Sequence, residues 1–465
     1  MHSMKRIIKL AALPLVLCGC GGVKNLQKSD IAMPASYSEL MSAPDDTLSI
    51  ADIRWYEFYS DTTLCNLIER ALENNKDFLK AASRVEEARA LYGIDKARWY
   101  PDITGIVSGD NETTDYNGAG VKSGQEYSLK LSLNWEVNLW GAVSWAKRKG
   151  MSNYLATVEE MRAMQMSLVA ELAEAYFRLV ALDNELIIVN ETLRTRSEAL
   201  EQARLRFEGG LTPETVYQQA VVEYATTASL IPNLEREFNV ARNAITLLMG
   251  EFPKEDLQRG ALYINVMLPE KVPSGIPSSL LQRRPDIRAA EQRMASAMAN
   301  VGLTYANRFP NFKINLTGGF ENEQLTDFLK SPYSYVIGSI AGTIFDFGKK
   351  KKQYEAAIAE YDQARYTYEQ TVIEAFTEVN NALTAYQKYQ ETYGLKLSLR
   401  EAALKYVNLA HLQYRAGSLN YLDVLDAQRK YFDAQISLSN ALRDEYIALV
   451  NLYKALGGGW QLPSI

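Results

Sequence analysis

From Tyr127 to Leu139 the apolar residues Tyr127, Leu129, Leu131, Leu133, Trp135, Val137 and Leu139 alternate with Ser128, Lys130, Ser132, Asn134, Glu136 and Asn138. Strict period two over this length predicts a strand with one apolar and one polar face. A tilted membrane strand needs about 9 to 11 residues, so this one is long enough to cross a bilayer. Pro101 to Ser108 reads as a weaker partner strand, joined to it by a polar, Gly-rich stretch from Gly109 to Gly124. Phe312, Ile314, Leu316 and Phe320 alternate with Lys313, Asn315 and Thr317, and Tyr333 to Phe347 reads as the return strand of a second hairpin. Trp99, Tyr100, Trp140, Phe309, Tyr333 and Phe347 sit at strand ends, where aromatics suit a membrane interface. The alternative is four strands of a soluble sheet with one wet face.

The period then changes. From Gly141 to Glu208, and again from Gly348 to Ala416, there is no proline and one internal glycine, Gly150 and Gly394 respectively. Each stretch predicts a single helix, roughly 100 Å long at 1.5 Å per residue. Leu168, Leu172, Ala175, Leu179, Leu182, Leu186, Val189 and Leu193 step by four and three, and Tyr368, Val372, Ala375, Val379, Ala382, Tyr386, Tyr389 and Tyr393 do the same. Such heptads indicate knobs-into-holes packing against neighbouring long helices, the alternative being an ordinary buried helix. Gly209-Gly210-Leu211-Thr212-Pro213 and Gly417-Ser418-Leu419-Asn420 carry the stop and start signals of helix reversals, with return helices to about Met249 and Leu456. Pro232 removes a backbone donor and should split the first return helix in two.

The chain also repeats itself. Asp77, Ala81, Gly93, Ala97 and Pro101 recur as Asp286, Ala290, Gly302, Ala306 and Pro310, each 209 positions later. Trp140-Gly141 answers Phe347-Gly348, and Phe207, Gly210 and Ala220 answer Tyr414, Gly417 and Ala427, at an offset of 207. The expected organisation is a signal peptide at 1–19, an N-terminal segment at 20–65, repeat 1 at 66–250, a linker at 251–277, repeat 2 at 278–456 and a tail at 457–465. Within the repeats the hairpins fall at about 101–140 and 310–347, the long helices at 141–208 and 348–416, and the return helices at 212–250 and 420–456.

Two hairpins give four strands, too few to close a barrel. An open sheet edge in lipid leaves backbone groups unsatisfied at several kcal/mol each, so copies of the chain must pair edge to edge. Three chains giving twelve strands is a sensible closure around a water-filled lumen, although hydrogen bonding alone does not force three over four. No run of about 18 apolar residues follows the N-terminus, so no mature transmembrane helix is expected.

Charge and composition narrow the chemistry. Lys5, Arg6 and Lys9 precede the apolar run Leu10–Leu17, and Leu17-Cys18-Gly19-Cys20 ends it in the manner of a lipobox, with Cys20 better placed than Cys18 because Gly19 supplies the small residue before the cut. A plain secretory leader is the alternative. Removing the leader's three positive charges from a net charge of -6 leaves -9, which argues against nucleic acid as a partner. With Cys18 cleaved away and Cys20 acylated, Cys65 is the one remaining thiol, and its apolar helical setting reads as a small buried hydrophobe. His2 leaves with the leader and His411 stands alone, so neither a His-based metal site nor a catalytic triad is expected. No phosphate-binding Gly-rich loop occurs in the required context. The Lys349–Lys352 run after a strand could lie near lipid headgroups or simply begin a solvated helix. Asp423 and Asp426, three apart on a helix, share a face, and several copies around a narrow mouth would crowd their carboxylates. The alternative is a solvated helix start, where aspartate suits the dipole.

The leader with Cys20, the hairpins after Pro101 and Pro310, the two long helices, and the segments Arg283-Arg284-Pro285-Asp286-Ile287-Arg288-Ala289-Ala290-Glu291 and Leu422-Asp423-Val424-Leu425-Asp426-Ala427-Gln428 together resemble the outer membrane factor family, the TolC-like group that includes OprM/NodT-type efflux lipoproteins. The resemblance covers essentially the whole mature chain. It implies a mainly α protein with a transmembrane β-barrel part: an internal two-fold repeat, four strands per chain in a 12-stranded trimeric barrel, and a long α-helical periplasmic barrel. It further implies an equatorial mixed region around 30–65, 250–280 and the tail. The implied function is that of an outer-membrane channel subunit of a tripartite efflux system. The implied partners are a homotrimer, a periplasmic adaptor, an inner-membrane pump and outer-membrane lipid, with the lipobox favouring an RND-type pump. No cofactor beyond the covalent lipid on Cys20 and no catalysed reaction is expected. Asp423 and Asp426 match aspartates lining the closed periplasmic mouth, and Tyr414 matches a tyrosine tying neighbouring helices shut. Leu419 stands where TolC-like members place an arginine, so apolar contacts are expected to replace the salt-bridged lock. Gly210 and Gly417 mark the expected adaptor-docking tips, though helix reversal alone accounts for glycine there. A lipid-anchored trimeric coiled-coil scaffold or adhesin is the alternative function.

Overall fold

The computed structural model describes residues 34, 49–114, 120, 122–262, 277–343 and 345–460. The leader and Cys20 lie outside them, so the lipobox has no structural counterpart among the described residues. The order of elements is α1 (Trp55–Phe58), α2 (Thr62–Asn74), α3 (Lys76–Ala97), β1 (Asp102–Thr114), β2 (Lys122–Val137), α4 (Ala142–Glu208), α5 (Glu214–Ala228) and α6 (Leu230–Leu248). Then follow α7 (Leu280–Arg283), α8 (Pro285–Ala306), β3 (Asn311–Asn322), β4 (Pro332–Ala341), α9 (Lys349–Arg415) and α10 (Tyr421–Ala455). The fold is mainly helical with one small sheet. No helix among the described residues is long and apolar enough to cross a membrane. The chain divides into two compact units, each drawing on both halves of the sequence: one holds 85–157 and 289–369, the other 32–84, 158–288 and 370–465.

The first unit contains the sheet, antiparallel throughout in the order β1-β2-β3-β4. β1 is longer than the apolar pattern predicts. It runs to Thr114, where it pairs with Lys122, so most of the polar Gly109–Gly124 stretch is strand. The ladder extends because each residue of β2 requires a partner, a non-local demand that the polar sequence of β1 does not advertise. β4 is shorter than predicted and ends at Ala341 instead of reaching Phe347. A Cβ at Gly342 would stand 2.8 Å from the Pro310 ring, and Phe347 and Gly348 take φ of +53° and +83°, conformations that turn the chain into α9. Gly302 lets α8 approach α4 closely, since a Cβ there would meet the Trp145 ring at 2.3 Å. Ala297 and Val301 on α8 pack with Ala357 and Tyr361 on α9.

In the second unit the heptad residues Leu168, Leu172, Leu179 and Val189 of α4 are buried, as are Val372, Ala375, Val379 and Tyr386 of α9. Tyr389, predicted on the same seam, is instead 40% exposed. α10 adds Leu438, Leu442, Leu449 and Leu452, and Phe177 stacks on Tyr446 at 4.8 Å. The first return helix breaks after Ala228, four residues before Pro232. Proline's ring excludes the carbonyl of residue i-4, which is Ala228, and within the first turn of a new helix its missing N–H has no partner to lose. Arg284, 5% exposed, is held by Asp286, Glu378 and the Ala455 carbonyl, binding α7 and α8 to α9 and α10.

Candidate functional site

The sheet is inverted relative to a soluble one. Register places Ile103, Val107, Leu129, Leu131, Leu133, Trp135, Ile314, Leu316, Phe320, Val336 and Ile340 on one face. That face is open: Val107 is 79% exposed and Ile340 72%. The other face carries most of the polar residues, together with the exposed Ile106, Tyr335 and Ile337, and two polar side chains are buried at its centre. Ser128 and Thr317 are each 2% exposed. Ser108 bonds Ser128 at 2.8 Å, Ser132 bonds Thr317 at 2.9 Å, and Asn315 bonds Asn134. Lys130 pairs with Glu321 at 3.7 Å on the same face. Exposing the apolar face of such a sheet to water would cost about 25 cal/mol for every Å². The arrangement fits a strand wall whose outside is hydrocarbon and whose inside is wet. The outer edges of β1 and β4 have no strand partner within the described residues.

In the second unit, both long helices end in the same motif. Leu211 N donates to the Arg206 carbonyl at 2.8 Å and Gly210 N to that of Phe207 at 2.9 Å. Ser418 N donates to Gln413 and Gly417 N to Tyr414, both at 3.0 Å. These bonds satisfy carbonyls the helix leaves unpaired, and they require the left-handed backbone that Gly210 (φ +68°) and Gly417 (φ +74°) adopt. A Cβ at either glycine would meet open space, so the dihedral angle selects glycine there. The two turns make two helical hairpins, α4–α5 and α9–α10.

Around the second turn, Ala410, Val424 and Ala427 form a small core against which Tyr414, Leu419 and Tyr421 pack. The Tyr414 and Tyr421 rings lie 5.6 Å apart. Leu419 thus packs through its apolar side chain within one chain. A guanidinium nonetheless reaches this cluster from the other hairpin: Arg206 donates to the Tyr414 hydroxyl at 3.0 Å. Sequence reading missed Arg206, whose one local signal, a cation in the last turn of a helix, reads equally as dipole compensation.

Asp423 lies in the first turn of α10, and Asp426 one turn further along the same face. Within one chain Asp426 is not an isolated charge. Lys430 bonds it at 2.8 Å and holds its carboxyl below the usual aspartate range. The Lys430 ammonium also lies 5.5 Å from the Tyr406 ring centroid. This i,i+4 pair was present in the sequence beside the carboxylates and moderates the crowding expected of them.

A second link between the hairpins lies deeper. The Arg196 side chain, 9% exposed, bonds Glu223 Oε2 at 3.1 Å, the Glu223 carbonyl at 2.9 Å and the Thr227 hydroxyl. Arg429 on α10 takes the other Glu223 oxygen at 3.2 Å. Glu223 therefore joins α4, α5 and α10, an arrangement that no local spacing announces. No group of three or more potential metal ligands occurs among the described residues.

The sequence profile described as "outer membrane efflux protein" matches residues 67–251 and 276–458. The solvent efflux pump outer membrane protein SrpC of Pseudomonas putida is 32% identical, covering 98% of this chain and 99% of its own. The cation efflux system protein CusC of Escherichia coli O6:H1 is 30% identical over 96% of this chain and 97% of its own. The solved outer-membrane channel OprN matches with a TM-score of 0.83 at 29% identity, over 93% of this chain and 99% of that one.

Proposed function

We propose, from the premise that the chain belongs to the outer membrane efflux protein family, that it is the outer-membrane channel subunit of a tripartite efflux system. The protein resides in the cell outer membrane. Cys20 carries the lipid anchor. Three copies place four strands each in a twelve-stranded barrel, and their paired repeats extend below it as a helical conduit. Substrates pass through without chemical change, delivered by a periplasmic adaptor and an RND-type pump.

The single observation that carries this reading is the sheet that gathers an exposed apolar face on one side and bonded polar side chains on the other, with neither outer edge paired among the described residues. A soluble scaffold has no use for that inversion, whereas a membrane conduit requires it. The resting gate lies at the helical turns: Asp423 and Asp426 form a charge ring that holds cations, Tyr414 ties the two hairpins, and Leu419 seals by apolar contact. Gly210 and Gly417 shape the tips that meet the adaptor.

The test is conductance of the purified mature protein in a planar bilayer. Discrete, cation-sensitive openings are expected, and the Asp423→Asn/Asp426→Asn variant should conduct more while losing cation block. A stable oligomer that never conducts, with or without the two aspartates, would indicate the scaffold instead.

A further inference from the structure

Every chain segment entering or leaving the sheet on its helical side carries positive charge. Register sets the start of β1 beside the end of β2, the end of β2 beside the start of β3, and the start of β3 beside the end of β4. Lys96 and Arg98 precede β1, residues 147–149 (Lys-Arg-Lys) follow β2, Arg308 precedes β3, and Lys349–Lys352 follow β4. The far end of the same sheet carries more acid than base, with Asp110, Glu112, Glu126, Glu321, Glu323 and Asp327 against Lys122 and Lys330, the last paired with Asp327 at 2.6 Å. One small sheet is thus polarised along its strands.

The β4 exit concentrates the effect. Four consecutive lysines open α9, where the helix already presents its positive pole and cations are disfavoured. Asp346 does not offset them freely, because its two oxygens accept from Gly348 N at 3.0 Å and Lys350 N at 3.1 Å. Glu355 is shared between Lys352 at 2.7 Å and Lys351 at 3.9 Å. Four ammonium groups therefore face two committed carboxylates. Immediately before them, Phe347 sits in left-handed backbone with its ring 91% exposed, paired edge-on with Phe345, which is 71% exposed. Before β1, at the opposite edge of the sheet, Trp99 is 50% and Tyr100 65% exposed.

Clustered lysines and exposed aromatic rings are together complementary to one kind of surface: phosphate headgroups above an acyl boundary. We propose that this collar binds the headgroups of anionic phospholipid in the leaflet facing the helices, with Phe345 and Phe347 inserted at the acyl boundary and Lys349–Lys352 on the phosphates. The inference rests on the sheet lying in the outer membrane. It adds a lipid preference and a fixed depth of insertion.

The full-length mature protein, reconstituted in nanodiscs of phosphatidylcholine with or without phosphatidylglycerol, is then extracted and its retained lipid counted by native mass spectrometry. Phosphatidylglycerol should be retained over phosphatidylcholine, and the preference should fall with added salt. Replacing Lys349–Lys352 by glutamine should reduce the preference at least ~10-fold, because lysines beside an anionic surface supply the attraction. The same four positions changed to arginine should keep it. Glutamine relieves the helix pole and is not expected to impair folding, and the arginine variant controls for it. Equal retention of the two lipids, or a preference surviving in the glutamine variant, overturns the proposal. Loss in both variants also overturns it, since charge is then not the determinant. Failure to enter nanodiscs at all would instead overturn the membrane placement of the sheet.

Discussion

Replacing Tyr414 by phenylalanine keeps the ring against Tyr421, Val424 and Ala427 and removes only the hydroxyl that Arg206 holds at 3.0 Å. That bond joins the α4–α5 hairpin to the α9–α10 hairpin, so a tip that opens by parting the hairpins must break it. Arg206 is exposed, which places the bond at the low end for a charged donor, about 0.5–1 kcal/mol per chain. If three chains open together the terms add to about 1.5–3 kcal/mol, a roughly 10- to 100-fold rise in the open-to-closed ratio. Open probability of single channels at fixed voltage measures this ratio. Arg206→Ala should produce a rise of similar size, and the double variant should add little, because both changes remove one bond. The reasoning is refuted if Tyr414→Phe gates like the parent, or if the two single effects simply add.

Other consequences are independent of gating. Arg196→Met leaves the Thr227 hydroxyl buried without its guanidinium and Glu223 with Arg429 alone; a loss of about 2–4 kcal/mol is expected in urea unfolding, with amide exchange accelerated in α5. Gly319→Ala would place a Cβ 2.1 Å from the Leu129 carbonyl and force β2 from β3, so the folded, heat-modifiable band on a gel should be lost, whereas Gly318→Ala, with nothing nearer than 3.6 Å, should fold. Burial pushes the Cys65 thiol up to about 11, and its Sγ lies 3.2 Å from the Tyr59 carbonyl. Its thiolate fraction at pH 8 is therefore about a hundredfold below that of an ordinary thiol, and alkylation should be slow until the protein is unfolded.

The sequence announces what depends on near neighbours. Absence of proline across 141–208 and 348–416 corresponds to α4 and α9, and the alternation of Tyr127–Leu139 to the core of β2. Glycine positions announce the two helix reversals, because only the left-handed backbone needs them. What the sequence conceals is set by pairing at a distance. The polar second half of β1 is strand only because β2 is there to receive it, and β4 stops where Gly342 meets Pro310. Arg206, Arg196 and Glu223 are ordinary surface-type residues on their own helices and become linkers when α4, α5 and the α9–α10 hairpin come together. Asp426 illustrates the middle case: Lys430 is legible at i+4, yet attention to the carboxylates alone passes over it.

One chain cannot seal its own wall in lipid, since β1 and β4 each end the sheet among the described residues. Light scattering of the detergent-solubilised mature protein, corrected for bound detergent, measures this most directly. A particle containing three chains is the expected result; a homogeneous, folded, single-chain particle would contradict it.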